Sequence, residues 1–229
     1  MIRRQIPNLI TLCNLLCGVI ASYVAVTGQV RMAARFICLG ILFDFFDGLA
    51  ARLLGVSSPM GKELDSLADV VTSGVAPAMI MLRLLADNAP DPRVAAVAFL
   101  IPLFSAYRLA KFNLDTRQSH SFLGLPVPSQ ALVWVGIAAS GQWLPDSWPM
   151  VAAFVVLSLV LDVLMVSELP LFSLKFNFRD LSWRSNSVQY LFLVGCALII
   201  ALLRDWIAVS IIIIWYIILS AITHRRHAQ

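Results

Sequence analysis

Four aspartates, Asp44, Asp47, Asp65 and Asp69, stand in a stretch that is otherwise apolar enough for a membrane interior. Ionisable side chains in such surroundings are costly and mark functional sites by default. Asp44 and Asp47 are three residues apart, and Asp65 and Asp69 are four apart. Each pair therefore falls on one face of a helix. Four carboxylates facing one another across a hairpin cannot all stay ionised without positive charge between them. An all-oxygen donor set with no nearby His or Cys selects Mg²⁺, Mn²⁺ or Ca²⁺ over zinc. Two such ions can clamp a diphosphate during in-line displacement at phosphorus. Arg52, at the rim, adds a charge-assisted contact to phosphate. A carboxylate not used up by metal can take the proton of an attacking hydroxyl. The chemistry this points to is phosphoryl transfer at a membrane surface. A cation or proton route through the bundle is the competing reading of the same residues. Ion pairing alone does not account for them, because their local charged company is Arg52, Lys62 and Glu63.

The elements that must position these residues are membrane helices. Of 229 residues, 60% are hydrophobic and 13% charged, against about 25% charged in a soluble domain. With roughly 20 apolar residues needed per span, candidate spans fall at 8–28, 32–52, 63–84, 92–111, 126–143, 148–166, 188–203 and 206–223. The last two are separated by Arg204 and Asp205 and read as a tight hairpin. With the N-terminus placed in the cytoplasm, twelve Lys and Arg lie in inside segments. Five lie outside: Arg31, Arg35, Arg83, Arg93 and Arg204. That asymmetry obeys the positive-inside rule. The fold expected is all-α and integral to the membrane, a polytopic bundle of about six to eight helices with both termini cytoplasmic. The whole chain, 1–229, reads as one domain, and the aspartates lie near the cytoplasmic end of the second and third spans.

The net charge of +4 is explained by this topology and does not call for nucleic acid. Arg3 and Arg4 precede an apolar run, but Asn8, Thr11 and Asn14 interrupt it and no small-residue cleavage site follows, so the first span is read as retained. Cys13, Cys17, Cys38 and Cys196 all fall inside spans and read as packing residues. Glu168–Ser187 mixes basic and aromatic residues and reads as an interfacial segment on the cytoplasmic leaflet. Gly124, Pro126 and Pro128 read as turn-shaping.

The motif Asp44-x-x-Asp47-Gly48-x-x-Ala51-Arg52, eight residues, then Gly61-x-x-x-Asp65-x-x-x-Asp69 resembles in full that of the CDP-alcohol phosphotransferase family. Three further segments resemble its bacterial phosphatidylserine synthase branch. They are Lys62 to Pro77, Tyr107-Arg-Leu-Ala-Lys-Phe-Asn113, and Phe122-x-Gly124-Leu-Pro126-x-Pro128. The resemblance implies a metal site of two ions, Mg²⁺ or Mn²⁺, held by Asp44, Asp47 and Asp65. Asp69 is implied as general base and further ligand. It implies nucleotide contacts from Gly48, Ala51, Arg52 and Gly61, to which Asn8 and Thr11 are added as candidates. Arg108, Lys111 and Asn113 end the fourth span at the same level and are candidates for the acceptor carboxylate or the lipid phosphate. The reaction implied is phosphatidyl transfer from CDP-diacylglycerol to the L-serine hydroxyl with release of CMP. It would be carried out by a homodimer in the bacterial inner membrane with its site facing the cytoplasm. Glycerol 3-phosphate or inositol phosphate are the alternative acceptors. A phosphorylated acceptor needs a denser basic pocket than Arg108 and Lys111 supply.

Overall fold

A computed structural model of the chain describes residues 2–56, 58–115, 122–141, 145, 147–172 and 183–227. The chain opens with two long helices, α1 (Ile2–Val26) and α2 (Val30–Leu53), joined by a turn in which Gly28 has φ +90. Small residues let them pack closely: Ala21 and Ala25 of α1 and Ala33 and Ala34 of α2 are all buried. Close approach through small side chains is how helices associate where lipid removes the hydrophobic drive. The opposite face of α1 carries Leu9, Leu12, Leu16, Val19 and Tyr23, all exposed. A soluble protein would not expose such a stripe; against acyl chains it needs no cover.

α3 (Pro59–Asp69) starts sharply, because Ser58 accepts the Gly61 N–H at 3.0 Å and Pro59 occupies the first turn. Both are favoured helix-start features. The helix widens into a π-helical turn over Val70–Val75 and continues as α4 (Ala76–Asn88). The cause lies in Pro77. A proline ring clashes with the carbonyl four residues back and its own N–H is missing. The chain accommodates it with a wider loop, in which the Ala76 N–H bonds Val71 O. The wide turn buries three consecutive residues, Thr72, Ser73 and Gly74. Thr72 fills the gap between α1 and α2. A Cβ on Gly18 would stand 2.7 Å from Thr72 Cα, and one on Gly40 would stand 2.9 Å from Asn14 Oδ1.

A 3₁₀ segment, Pro92–Phe99, leads into α5 (Leu100–Leu114). α6 (Val127–Ser140) and α7 (Trp148–Val166) follow, with Trp134 of α6 edge-on to Phe154 of α7. Two-residue strands β1 (Phe122–Leu123) and β2 (Pro170–Leu171) pair antiparallel and tie the loops before α6 and after α7. Gly124 makes this junction, with φ +73 and a Cβ position 2.5 Å from Met165 O. The turn-shaping role expected of it is what is seen. α8 (Trp183–Leu203) and α9 (Ile207–His227) form the tight terminal hairpin. Phe172, Phe192 and Tyr216 stack at its base.

Among the described residues, five helical runs are long and apolar enough to cross a membrane: Gln5–Val26, Pro59–Asn88, Pro92–Leu114, Trp148–Val166 and Asn186–Leu203. Val127–Ser140 and Ile207–Thr223 are apolar but shorter. α2 is 24 residues long, but Arg31, Arg35, Asp44, Asp47 and Arg52 break its apolar run. These eight helical columns match the expected polytopic all-α bundle, with ends shifted by a few residues. Half of the expected interfacial segment at 168–187 lies outside the described residues, as does His120.

Candidate active site

The last turns of α2 and the first turns of α3 face each other across the short connection Leu54–Ser58. Gly55, with φ +62, turns this connection back on itself. Asp44, Asp47 and Asp65 each offer one carboxylate oxygen, and these oxygens lie within 4.8 Å of one another. The Asp44 and Asp65 carboxyls are within hydrogen-bonding reach of each other. Asp65 Oδ1 is buried with no hydrogen-bond partner among the described residues. Asp47 is oriented from a third helix: Thr11 of α1 donates its hydroxyl to Asp47 Oδ2 at 2.6 Å. Three clustered carboxylates with an orphaned buried oxygen fit a hard divalent cation, which takes oxygen ligands. A hydrogen bond such as Thr11 gives Asp47 fixes the direction of a ligating carboxylate's lone pairs.

Asp69 is not among the three whose oxygens lie within 4.8 Å of one another, though the charges of Asp65 and Asp47 act on it. It is buried one turn further along α3, with Asn14 Nδ2 3.5 Å from its Oδ1, a distance beyond the usual hydrogen-bond range. The Arg108 charge acts on it from α5. Three of the four aspartates offer oxygens close enough to share a cation, and Asp69 interacts electrostatically with that cluster and, to a lesser extent, with Arg108.

A cavity of about 220 Å³ opens beside the trio. Asn8, Thr11, Gly48, Ala51 and Gly61 all line it, together with Asp47, Asp65 and Lys62. A Cβ on Gly48 would meet nothing within 4 Å, so this glycine opens space instead of enabling helix packing. Arg52 is exposed at the rim, where its Nε donates to Gly48 O at 3.0 Å. Every residue expected to contact nucleotide therefore lies on or beside one cleft.

The three candidates on α5 diverge. Arg108 is buried, with its guanidinium 4.9 Å from the Phe112 ring centroid and its charge acting on Asp69. Lys111 turns to the end of α7, bonding Val166 O at 3.4 Å and pairing with Glu168 at 3.7 Å. Asn113 turns to α3, donating to Ser66 Oγ at 2.8 Å, while its carbonyl accepts from Lys62 Nζ at 3.2 Å. Lys111 and Asn113 bond to neighbouring helices, and Arg108 is the one whose charge acts on an aspartate. Asn113 points elsewhere for an angular reason, since five residues at about 100° each put it about 140° around the helix from Arg108.

Sequence reasoning passed over Asp162. It lies fully buried on α7, where it interacts with Ser158 one turn earlier. A single acid in the run Leu157–Val166 was the available signal. It is not one of the clustered aspartates.

Residues 4–173 match the CDP-alcohol phosphatidyltransferase family. The chain is similar to the CDP-diacylglycerol–serine O-phosphatidyltransferase of Helicobacter pylori (strain ATCC 700392 / 26695). The two are 32% identical over 221 residues, 94% of this chain and 89% of the relative. It is 39% identical to the Bacillus subtilis (strain 168) protein of the same name over 123 residues, 54% of this chain and 69% of the relative. It is 32% identical to the archaetidylserine synthase of Methanothermobacter thermautotrophicus over 168 residues, 72% of this chain and 68% of the relative.

Proposed function

The chain belongs to the CDP-alcohol phosphatidyltransferase family, and from that premise we propose that it makes phosphatidylserine from CDP-diacylglycerol and L-serine, releasing CMP. The serine hydroxyl oxygen attacks the phosphorus that bears the lipid. The bond from that phosphorus to the CMP oxygen breaks, and the hydroxyl proton passes to Asp69. The carrying observation is the single cleft in which three carboxylates meet an open glycine-lined wall.

Asp44, Asp47 and Asp65 would hold the divalent ions, two Mg²⁺ or Mn²⁺ in this reading. Bound there, the ions neutralise the diphosphate and the departing CMP. Thr11 keeps the Asp47 carboxylate aimed into the cleft. Gly48, Ala51 and Gly61 leave the wall bare, so that a nucleotide can approach the backbone, with Asn8 beside them and Arg52 at the rim. Asp69, held outside the trio, keeps a lone pair for the hydroxyl proton. Arg108, buried and within electrostatic reach of Asp69, carries the charge that suits the acceptor carboxylate, with the Phe112 ring 4.9 Å from its guanidinium. Lys111 and Asn113 shape this wall by tying α5 to α7 and α3. One buried cation favours an acceptor with a single carboxylate over a phosphorylated alcohol.

The chain is an integral membrane protein. Its placement in a bacterial inner membrane with the cleft facing the cytoplasm, its single domain over 1–229 and its assembly as a homodimer complete the reading. The transporter alternative is disfavoured because all three clustered carboxylates and the cavity lie at one end of the bundle.

The test is metal-dependent CMP release from CDP-diacylglycerol by the purified protein in detergent, with L-serine, glycerol 3-phosphate and inositol phosphate in parallel. Release with serine is expected. Release with another acceptor alone would overturn the acceptor assignment. No release with any acceptor from folded protein would overturn the enzymatic reading.

A further inference from the structure

At the end of the bundle remote from the aspartates, two cavities of about 400 and 230 Å³ meet at Arg31 and Arg35. The arginines are four apart on α2 and share a face. Arg35 stands about 18 Å along the helix from Asp47, at 1.5 Å per residue, so the two sites do not overlap. Arg31 is anchored. Its guanidinium covers Gly141, the left-handed residue that ends α6, where any Cβ would collide with it. A cation there suits the negative end of the helix dipole. Its charge also acts on Asp205, which accepts the Ile207 N–H at 2.9 Å and starts α9. Arg35 is exposed and has no ion-pair partner among the described residues.

The smaller cavity descends from this pair between α2 and α6. Its mouth carries Arg31, Arg35, Trp206 and Ala139, and its deeper wall is Cys38 and Val135. Trp206 is 59% exposed, as befits an indole at headgroup level. The cleft is cationic at the surface, aromatic at the rim and apolar one turn below. A free anion would use only the first of these features. A phospholipid matches all three, since its phosphodiester takes guanidinium hydrogen bonds and its acyl chain fills an apolar groove. We propose that this cleft is a phospholipid-binding site. The phosphodiester of a lipid from the leaflet opposite the catalytic cleft sits between Arg31 and Arg35, and an acyl chain lies against Cys38, Val135 and Ala139. The site is separate from the one that turns over CDP-diacylglycerol and does not depend on that assignment.

Native mass spectrometry of the full chain, delipidated in detergent, tests this with dioleoyl phosphatidylglycerol as probe and with dioleoylglycerol and inorganic phosphate as controls. The wild type should retain one phosphatidylglycerol that is weakened tenfold or more both by Arg35→Gln, which removes the charge, and by Ala139→Phe, which fills the groove. Arg35→Lys should keep most of the binding. Metal-dependent CMP release unchanged in all three variants reports that they fold. Equal lipid retention in wild type and both disabling variants would overturn the proposal. So would phosphate binding as tightly as lipid, which makes the site a plain anion pocket. A dimer that Arg35→Gln dissolves without any lipid present would instead assign the cleft to a second copy of the chain.

Discussion

At the scale of single residues, the site rests on a division of labour among aspartates that look equivalent in sequence. Asp44, Asp47 and Asp65 converge within 4.8 Å, while Asp69 lies one turn further along α3, where the charges of Asp65, Asp47 and Arg108 act on it. Asp65→Asn should therefore abolish metal binding measured by Mn²⁺ titration. Asp69→Asn should leave that titration intact while CMP release falls about 10²–10⁴-fold, the usual worth of a general base. Near-normal turnover in Asp69→Asn would remove the base assignment. Thr11 offers a finer test. Thr11→Val keeps the shape but deletes the 2.6 Å bond to Asp47. Loss of such an outer bond costs about 10–100-fold in metal affinity, so the metal dependence of CMP release should move to higher concentration by that factor. An unchanged dependence would mean that Asp47 is oriented without it. The aspartate spacing was legible in the sequence because a helix period converts three and four residues into one face. The Thr11 bond was not, since it joins residues 36 apart on different helices.

At the scale of elements, the glycines divide into two kinds that a sequence does not distinguish. Gly18 is where α1 touches the π-helical turn, and a Cβ there would stand 2.7 Å from the Thr72 backbone. Gly48 faces open space. Gly18→Val should overpack the contact by about 1–3 kcal/mol and lower the thermal unfolding temperature in detergent. Gly48→Val should leave that temperature unchanged and instead block CDP-lipid binding, read by isothermal titration. The reverse pattern would mean that Gly48, not Gly18, is the packing residue. The π-helical turn has the same status. Pro77 was visible in the sequence, but whether a proline kinks, ends or widens a helix depends on what the neighbouring helices can accept. Here a wider turn puts Thr72 into the notch between Gly18 and Gly40.

At the scale of the whole molecule, the cleft opens at one end of the bundle, beside the turn at Ser58, and the α4 terminus at Asn88 lies at the other. With the native cysteines replaced by alanine, Ser58→Cys in intact cells should resist a membrane-impermeant thiol reagent and react once the membrane is opened. Ala89→Cys should react in intact cells. The opposite result would invert the topology and place the cleft outside. The exposed apolar stripe of α1 and the apolar faces of α7 and α8 set the lipid boundary that this experiment relies on.

The sequence by itself determined the class of fold and the spacing on which the proposed site rests, because both are local. Apolar run length gives spans, Lys and Arg bias gives the sidedness proposed above, and the aspartate, glycine and arginine spacing is fixed by one hairpin of α2 and α3. Only the tertiary structure decided which distant residues complete the site. It set the Arg108 charge within reach of Asp69, bonded Lys111 and Asn113 to neighbouring helices, brought Thr11 onto Asp47, and placed Arg31 and Arg35 beside a groove lined by α6. Each of these depends on the rotation and depth of one helix against another. Those are settled by where small residues permit close approach, and no single segment encodes them.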